Sequence, residues 1–504
     1  MQYKSQARLL SFAGLLTLTI SSSISAQGLA SYGQGTAGTG GKVPFLWASS
    51  TPRPGNTKFG ITIDRGLPNA TAVPFLSLKR ADFVIGGVRV LLDFSQSIQF
   101  PFVKLDTTGS ATIPLPLPNT PTILGVVGHE QAFIADSGGG ALGFSATQGL
   151  DIRVMNYGLL IGTRSTGAIS PQIAINLDTG VQSSFKHTTM TNVDIPGMMP
   201  RTRTHMMVGS GRTNKVALYD CQVFPPKFVT GFSTSGTPWS CTWNPDGVRN
   251  YIVIQTPSSG TPEVQIVWAL PGAPNFGKPY PGGNIPLGTT IDALRMTFSK
   301  NGEVGVLSTL GLFGGGGELR RFDTKPGSAT YHKQTGLYKV RGQYIWGSCK
   351  TDDNTIAIAV SGLGTQVTIH LVDIGTMQLT KTFGPQGFGI VIRGMVADPR
   401  GRYLYVGNTP RSSLSVPAGV VRIDIDKSSP NYGKITNIAA GIQSTWNVYD
   451  VEVSDAGDRL YALVGTGIQA NFVGNIHEYD TTTLAVLRTW SMNRLGNTYN
   501  FAIR

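Results

Sequence analysis

The sequence predicts an all-β chain, an N-terminal β-sandwich followed by a β-propeller, and three observations carry that expectation. Apolar residues alternate over short runs cut by Gly, Asn, Asp and Pro, and past the first 20 residues no sustained i, i+3, i+4, i+7 recurrence appears. The composition is rich in turn formers, with 64 Gly and 30 Pro, while charged residues make up only 14%. From about residue 156 a strand–turn–strand unit repeats at a period of roughly 50 residues, the arithmetic of four short strands per unit. At 504 residues the chain exceeds one ordinary core, so two domains are expected.

The first 26 residues have the pattern of a secretory signal peptide. Lys4 and Arg8 supply a basic start, Leu9 to Ile20 an apolar run, and Ser21 to Ala26 a small-residue stretch before Gln27, which predicts cleavage after Ala26. Ser and Thr interrupt the apolar run before the roughly 20 residues that span a bilayer, so no integral membrane segment is expected once the signal is removed. The formal net charge of +13 then falls by the two units of Lys4 and Arg8. The basic residues are dispersed and lack the aromatic-interleaved stripe of a nucleic-acid binder, so nucleic acid is not an expected partner. Residues 27–42, QGLASYGQGTAGTGGK, read as a flexible leader.

Residues 43–154 carry the strand-like segments FGITID, AVPFLSL, VRVLLDF, ATIPLPLP, HEQAFIAD, LGFSAT and LDIRV, with Gly or Pro between them. Their spacing fits a two-sheet sandwich. In the order FG, LLDFS, TTGSATIPLPLPN and QAF…GLDI the stretch resembles a small β-sandwich module of secreted proteins from planctomycetes and related bacteria.

Residues 155–504 hold the repeats. SCTWNPDGVRNYIVIQT, LRMTFSKNGEVGVLSTL, RGMVADPRGRYLYVGNT and YDVEVSDAGDRLYALVG each pair two apolar strands about a turn at Gly247, Gly302, Gly401 or Gly457. A degenerate copy starts at Trp346. Third strands ending near Asp follow, such as IHLVDI, VVRIDID and IHEYDT, and usually a fourth. Because one such sheet cannot bury both faces, the sheets are expected to stack radially. NTYNFAIR reads as a first strand lacking its blade, and residues 158–185 as the last three strands of one. Joining them removes two open edges and gives seven blades, with six or eight as the alternatives. Phrases such as GRYLYVGN followed by GVVRIDID resemble the seven-bladed YVTN and lactonase-like propeller superfamily. That resemblance implies architecture rather than activity, since the fold hosts enzymes, sensors and scaffolds.

In such a fold a ligand site is expected at the axial mouth, near the starts of the innermost strands. Asp292, Arg393 and Asp450 are the catalytic candidates there, and Trp239, Trp346, Tyr449 and Tyr499 the ligand-binding ones. The competing reading is that the aromatics fill space between blades and that Asp and Arg satisfy loop backbones. The six histidines are scattered without HxxxH spacing, no CxxC is present, and DIDKSSPNYG from Asp424 and Asp426 lacks the closing acid of a calcium loop. No metal and no cofactor are therefore expected. Cys221, Cys241 and Cys349 read as three buried thiols, with a Cys221–Cys241 bridge as the alternative. The Gly-rich runs at 137–143 and 311–320 lack the Lys-Ser/Thr of a phosphate loop and read as turns, and no GxSxG elbow appears.

These features favour a secreted, periplasmic or envelope binding scaffold whose partner is a protein or polysaccharide. One alternative is a lactonase-like hydrolase in which Asp450 or Asp292 activates water and Arg393 steadies the oxyanion. Members of the superfamily with that activity use acidic, His and Arg residues in the funnel, and no inner-strand His is evident here. The other alternative is a carbohydrate-binding protein that uses the Trp239 and Trp346 faces.

Overall fold

A computed structural model describes residues 29–503 except 51, 155–157, 165–171, 178–179, 186–196, 199–204, 211–212, 222–223, 256–261, 289–292, 300, 312–315, 353, 363–364, 386–387, 390–391, 393, 410–417, 455, 467–472 and 493–496. The expected signal peptide lies outside the described residues. No described helix is long and apolar enough to cross a membrane. The chain is all-β, built from antiparallel sheets joined by turns and short 3-10 segments.

In the N-terminal module a seven-stranded sheet and a three-stranded sheet share one apolar core. Leu46, Ile61 and Ile63 of the smaller sheet meet Ala72, Ala132, Ile134, Leu150 and Ile152 of the larger. Every strand-like segment anticipated here contains a strand, and several, such as Gly60–Asp64 and Gly149–Arg153, are buried on both faces. The flexible leader needs correction. Leu29–Tyr32 forms an edge strand paired with Gly149–Arg153, and Thr36 bridges Ala146. Leu29 is buried in the core, and the Tyr32 hydroxyl donates to the Leu91 carbonyl at 3.0 Å beneath the Arg80 guanidinium. Two anchoring side chains are enough to order a Gly-rich stretch whose backbone finds a free sheet edge.

The larger sheet treats its two buried acids differently. Asp151 accepts from Arg80 Nε at 3.0 Å and lies 2.7 Å from His129 Nδ1. Glu130 points to the opposite face among the core residues, fully buried, with no hydrogen-bond partner at either carboxyl oxygen. Burial pushes its pKa up to about 8, so it is held as the neutral acid.

Beyond residue 155 the described strands form seven four-stranded sheets, each in simple sequential order except one. That one is composite. Asn497–Ile503 pairs with Gly158–Arg164, which continues to Gln172–Asn176 and Gln182–Phe185. First strands of successive sheets touch one another in cyclic order, and Asn497–Ile503 touches both its neighbours, Asn447–Val453 and Gly197–Met198. Apolar clusters fill the gaps between adjacent sheets, as where Ala357 and Leu371 meet Leu404 and Val421.

Sequential four-stranded order puts the first-to-second and third-to-fourth turns at one end of every sheet. Gly247, Gly302, Gly401 and Gly457 sit in those turns with φ between 67° and 72°, where a Cβ would be strained. This end is tied laterally by arginines. Arg249 Nη1 donates to the Thr324 carbonyl at 2.6 Å, Arg321 to Ile374 at 3.0 Å, and Arg422 to Thr481 at 3.1 Å. Arg488 donates to Leu177 of the composite sheet in the same way. Each tie runs from one sheet to the carbonyl that closes the third strand of the next. The dispersed basic excess thus has a structural use that composition alone did not show.

Candidate functional site

The turn end also seats the N-terminal module. Trp47 lies under the guanidinium groups of Arg400 and Arg402, at 4.5 and 5.7 Å from the ring centroid. Ala456 of a first-to-second turn joins the module's own core. Arg65 stands 3.9 Å from Asp426. Asp424 ends a strand and Asp426 precedes the turn at 427–430, where Ser428 donates to Asp426 and Ser429 to Asp424.

At the opposite end the first strands share an irregularity. Register shifts fall between Pro238 and Ser240, Ala293 and Arg295, Ile345 and Gly347, and Val448 and Asp450. The residues pushed out are Trp239, Leu294, Trp346 and Tyr449. In the composite sheet the shift opposite Gly162 and Thr163 picks out Tyr499. Arg393 has the same spacing ahead of its own turn glycine, Gly401, as Trp239 and Tyr449 have ahead of theirs. Four of the seven sequence-chosen residues, Trp239, Trp346, Tyr449 and Tyr499, therefore occupy one repeat position, a β-bulge of the first strand.

Trp239 and Trp346 are partly buried against the clusters between sheets, and the Trp346 indole N–H donates to Ser361 Oγ at 2.7 Å. Tyr449 is buried beside Ile173, Tyr461 and Trp490. Asp450 is half-buried and accepts the Val451 N–H at 3.0 Å. It abuts the chain next to Arg393, since a Cβ on Gly394 would fall 2.5 Å from the Asp450 Cα. Asp292, Arg393 and the Tyr499 side chain lie outside what is described.

Sequence reasoning missed Arg295, which occupies the repeat position of Asp450 and is exposed although it stands on a first strand. It also missed the neighbourhood of Cys349. Burial pushes this thiol up to about 12, with Arg295 pulling it down and Glu452 pushing it further up. Those three residues stand on the first strands of three different sheets. The three cysteines are thiols rather than disulfide partners, Cys221 and Cys241 buried and Cys349 partly buried. No group of three or more metal-ligating side chains occurs among the described residues. His370 and His477 occupy matching third-strand positions, hydrogen-bonded to Tyr338 at 3.0 Å and Thr489 at 2.8 Å.

A second site lies at the seam between the module and the repeated sheets. A cleft of about 510 Å³ opens between loop residues 49–58 and the turn end of the 447–491 sheet. Arg459 lies 3.6 Å from Asp458 and 3.4 Å from both Glu478 and Asp480, and Arg488 lies 3.0 Å from Glu478. Burial raises the pKa of Glu478 against the opposing pull of Arg488 and Arg459, and burial likewise raises that of Asp458. Arg53 and Lys58 line the cleft from the module side. No sequence signal marked this site, because its walls come from segments about 400 residues apart in the chain.

No family model matches the chain, and no curated protein matches it. Among solved structures the chain is similar to a protein of unknown function from Desulfotomaculum acetoxidans, at 14% identity and a TM-score of 0.48, over 69% of this chain and 98% of that one. It is similar to a Bacteroides fragilis protein provisionally assigned as a 6-phosphogluconolactonase, at 15% identity and a TM-score of 0.47, over 69% and 98%. Hydrazine synthase from Kuenenia stuttgartiensis gives 12% identity and a TM-score of 0.44, over 72% and 93%. At these values none of the likenesses bears on activity.

Proposed function

We propose that the chain is an exported protein of the periplasm, envelope or extracellular space, released from its signal peptide after Ala26, that serves as a binding scaffold. In this reading the seven four-stranded sheets are the blades of a lactonase-like β-propeller, and the N-terminal module is a β-sandwich that caps one end of it. The observation that supports it is the seating of Trp47, Arg65 and Ala456 at the turn end. The end left to meet a protein or polysaccharide partner is the one bearing Trp239, Arg295, Trp346 and Asp450. The hydrolase reading draws on one observation, the contact of Asp450 with the chain beside Arg393.

A glycan array and a lactone panel, run on wild type, Arg295→Gln and Asp450→Asn, test both. The scaffold reading expects glycan or protein capture that weakens by about tenfold or more in Arg295→Gln, as expected for a contact residue. Lactone turnover by wild type that disappears in Asp450→Asn would replace the scaffold with the hydrolase.

A further inference from the structure

The seam cleft segregates its charges by depth. Glu478 has a side chain only 3% exposed and Asp458 one only 13% exposed, whereas Arg459 and Arg488 stand at 31% and 38%. Lys58 is exposed and Arg53 half-buried on the facing wall. A molecule entering from solvent therefore meets the guanidinium and ammonium groups, with Asp480 beside them at 28% exposure and paired to Arg459, while Glu478 and Asp458 lie behind. The two deep acids have work to do in that position. They hold the Arg459 and Arg488 forks in fixed orientations, so that each guanidinium keeps further N–H groups for a ligand.

The remaining lining carries the hydroxyls of Ser49, Ser50, Thr57, Ser454 and Thr482, of which Ser454 already donates to Asp458 at 2.7 Å and Ser49 to the Lys58 carbonyl at 3.3 Å. The Ser50 oxygen already accepts from Asn56 Nδ2 at 2.9 Å, which leaves its hydrogen to donate elsewhere. Tyr461 and Leu177 supply an apolar floor. The volume falls within the range of roughly 300–1,000 Å³ typical of small-molecule sites.

We propose that this cleft binds a small oxyanionic ligand, a carboxylate, sulfate or phosphate group carried on a hydroxylated body such as a sugar. Arg53 and Lys58 of the module and Arg459 and Arg488 of the repeated sheets grip the anion from opposite walls. Occupancy then bridges the two parts of the chain and stabilises their docking. The proposal is independent of any partner at the bulge end.

Calorimetric titration of the full mature chain with inorganic phosphate, sulfate, glucose 6-phosphate, galacturonate and neutral galactose tests it. At least one anion binds while galactose does not, and affinity falls steeply as salt rises from about 0.05 to 0.5 M. Binding to galacturonate but not to the phosphates assigns a sugar acid, and the reverse assigns a phosphate ester. The Arg53→Gln, Lys58→Gln double variant binds about tenfold more weakly or worse. Arg295→Gln, at the other end, binds as wild type does. Lys58→Gln alone, at an exposed position, keeps the test valid if the double variant misfolds, and it too weakens binding. Absence of heat with every anion overturns the proposal, as does binding that Lys58→Gln and the double variant leave unchanged. The outcome is read separately from the scaffold assay, which depends on Arg295.

Discussion

The two ends of the repeated sheets are held by different chemistry. At the turn end, arginines reach from sheet to sheet and bond backbone carbonyls, as Arg249 does to Thr324 and Arg422 to Thr481. Side chains and turns interlock there too, with Asn244 donating to the Gly302 carbonyl at 2.9 Å and Arg400 to that of Gly457 at 2.5 Å. At the bulge end, large aromatic side chains are turned out of a regular strand and lodge against apolar clusters. Directional bonds fix the geometry of a surface on which another module must sit, whereas aromatic packing tolerates adjustment. The N-terminal module sits on the end held by directional bonds, while the other end is held by aromatic packing.

The largest test removes the element common to both ends. Asn497–Ile503 forms the first strand of the composite sheet and touches the first strands on either side. Deleting residues 497–504 leaves the Gly158–Arg164 edge open and two interfaces half-filled. Calorimetry is expected to show a melting temperature lower by more than about 10 °C, or no cooperative transition. Near-normal melting would mean that the sheets hold together without cyclic contact.

A second test contrasts buried acids. Asp398, in a turn of the repeats, is paired with Arg400 Nε at 3.0 Å, while Glu130 of the module has no partner. Burial alone raises the Glu130 pKa above its value in the unfolded chain, and no charged group contributes to the shift. The folded protein therefore keeps a proton that the unfolded chain releases. Its stability is intact below about pH 4.5 and declines as the pH rises toward 8, by up to roughly 4 kcal/mol. Glu130→Gln removes that decline. Denaturant titrations near pH 5 and near pH 8 measure it, and equal slopes in both proteins would show that Glu130 is not the group responsible.

The arginine ties are graded by burial. The Arg249 side chain is 3% exposed and also bonds Asp246, Tyr251 and Tyr331, so Arg249→Leu strands the Thr324 carbonyl and costs about 2–3 kcal/mol. Arg321 makes its contacts to Thr335 and Gly375 in exposed surroundings, and Arg321→Leu costs less than about 1 kcal/mol. Chemical denaturation of both variants checks the ranking. A reversal would separate the ties from stability altogether.

The strands and turns of the repeats were legible because their determinants are local. Gly247, Gly302, Gly401 and Gly457 announce a left-handed backbone, and apolar runs such as YLYVGN announce a strand buried on both faces. The bulge position was legible only as the start of an innermost strand, aromatic in Trp239, Trp346 and Tyr449 but Leu294 in another copy, and the direction of Trp346 or Tyr449 was not. Orientation depends on what the adjacent sheet offers. The arginine ties left no signature, since their acceptors are carbonyls that any residue provides. The seam cleft was hidden for a related reason, because Lys58 and Arg488 meet only through the packing of residues 49–58 against the 447–491 sheet. The ordering of Leu29–Tyr32 was missed because glycine content argued for freedom, while the open edge at Gly149–Arg153 supplied partners that composition does not reveal.

The smallest expected effect concerns the bulge end itself. Ser361 is buried at 1% exposure, and the Trp346 indole N–H reaches its oxygen at 2.7 Å from a ring that is only partly covered. Trp346→Phe removes the donor while keeping most of the apolar contact, and about 1 kcal/mol is lost. In Ser361→Ala the indole N–H of a partly exposed ring turns to water, so the single change costs less. A double-mutant cycle should return a coupling of about 0.5–1 kcal/mol between them. That value would mean Trp346 is held by its neighbour and offers a ligand only one fixed face. Zero coupling would mean the indole is free to swing, and Trp346 would then become the first aromatic to test by substitution on the glycan array.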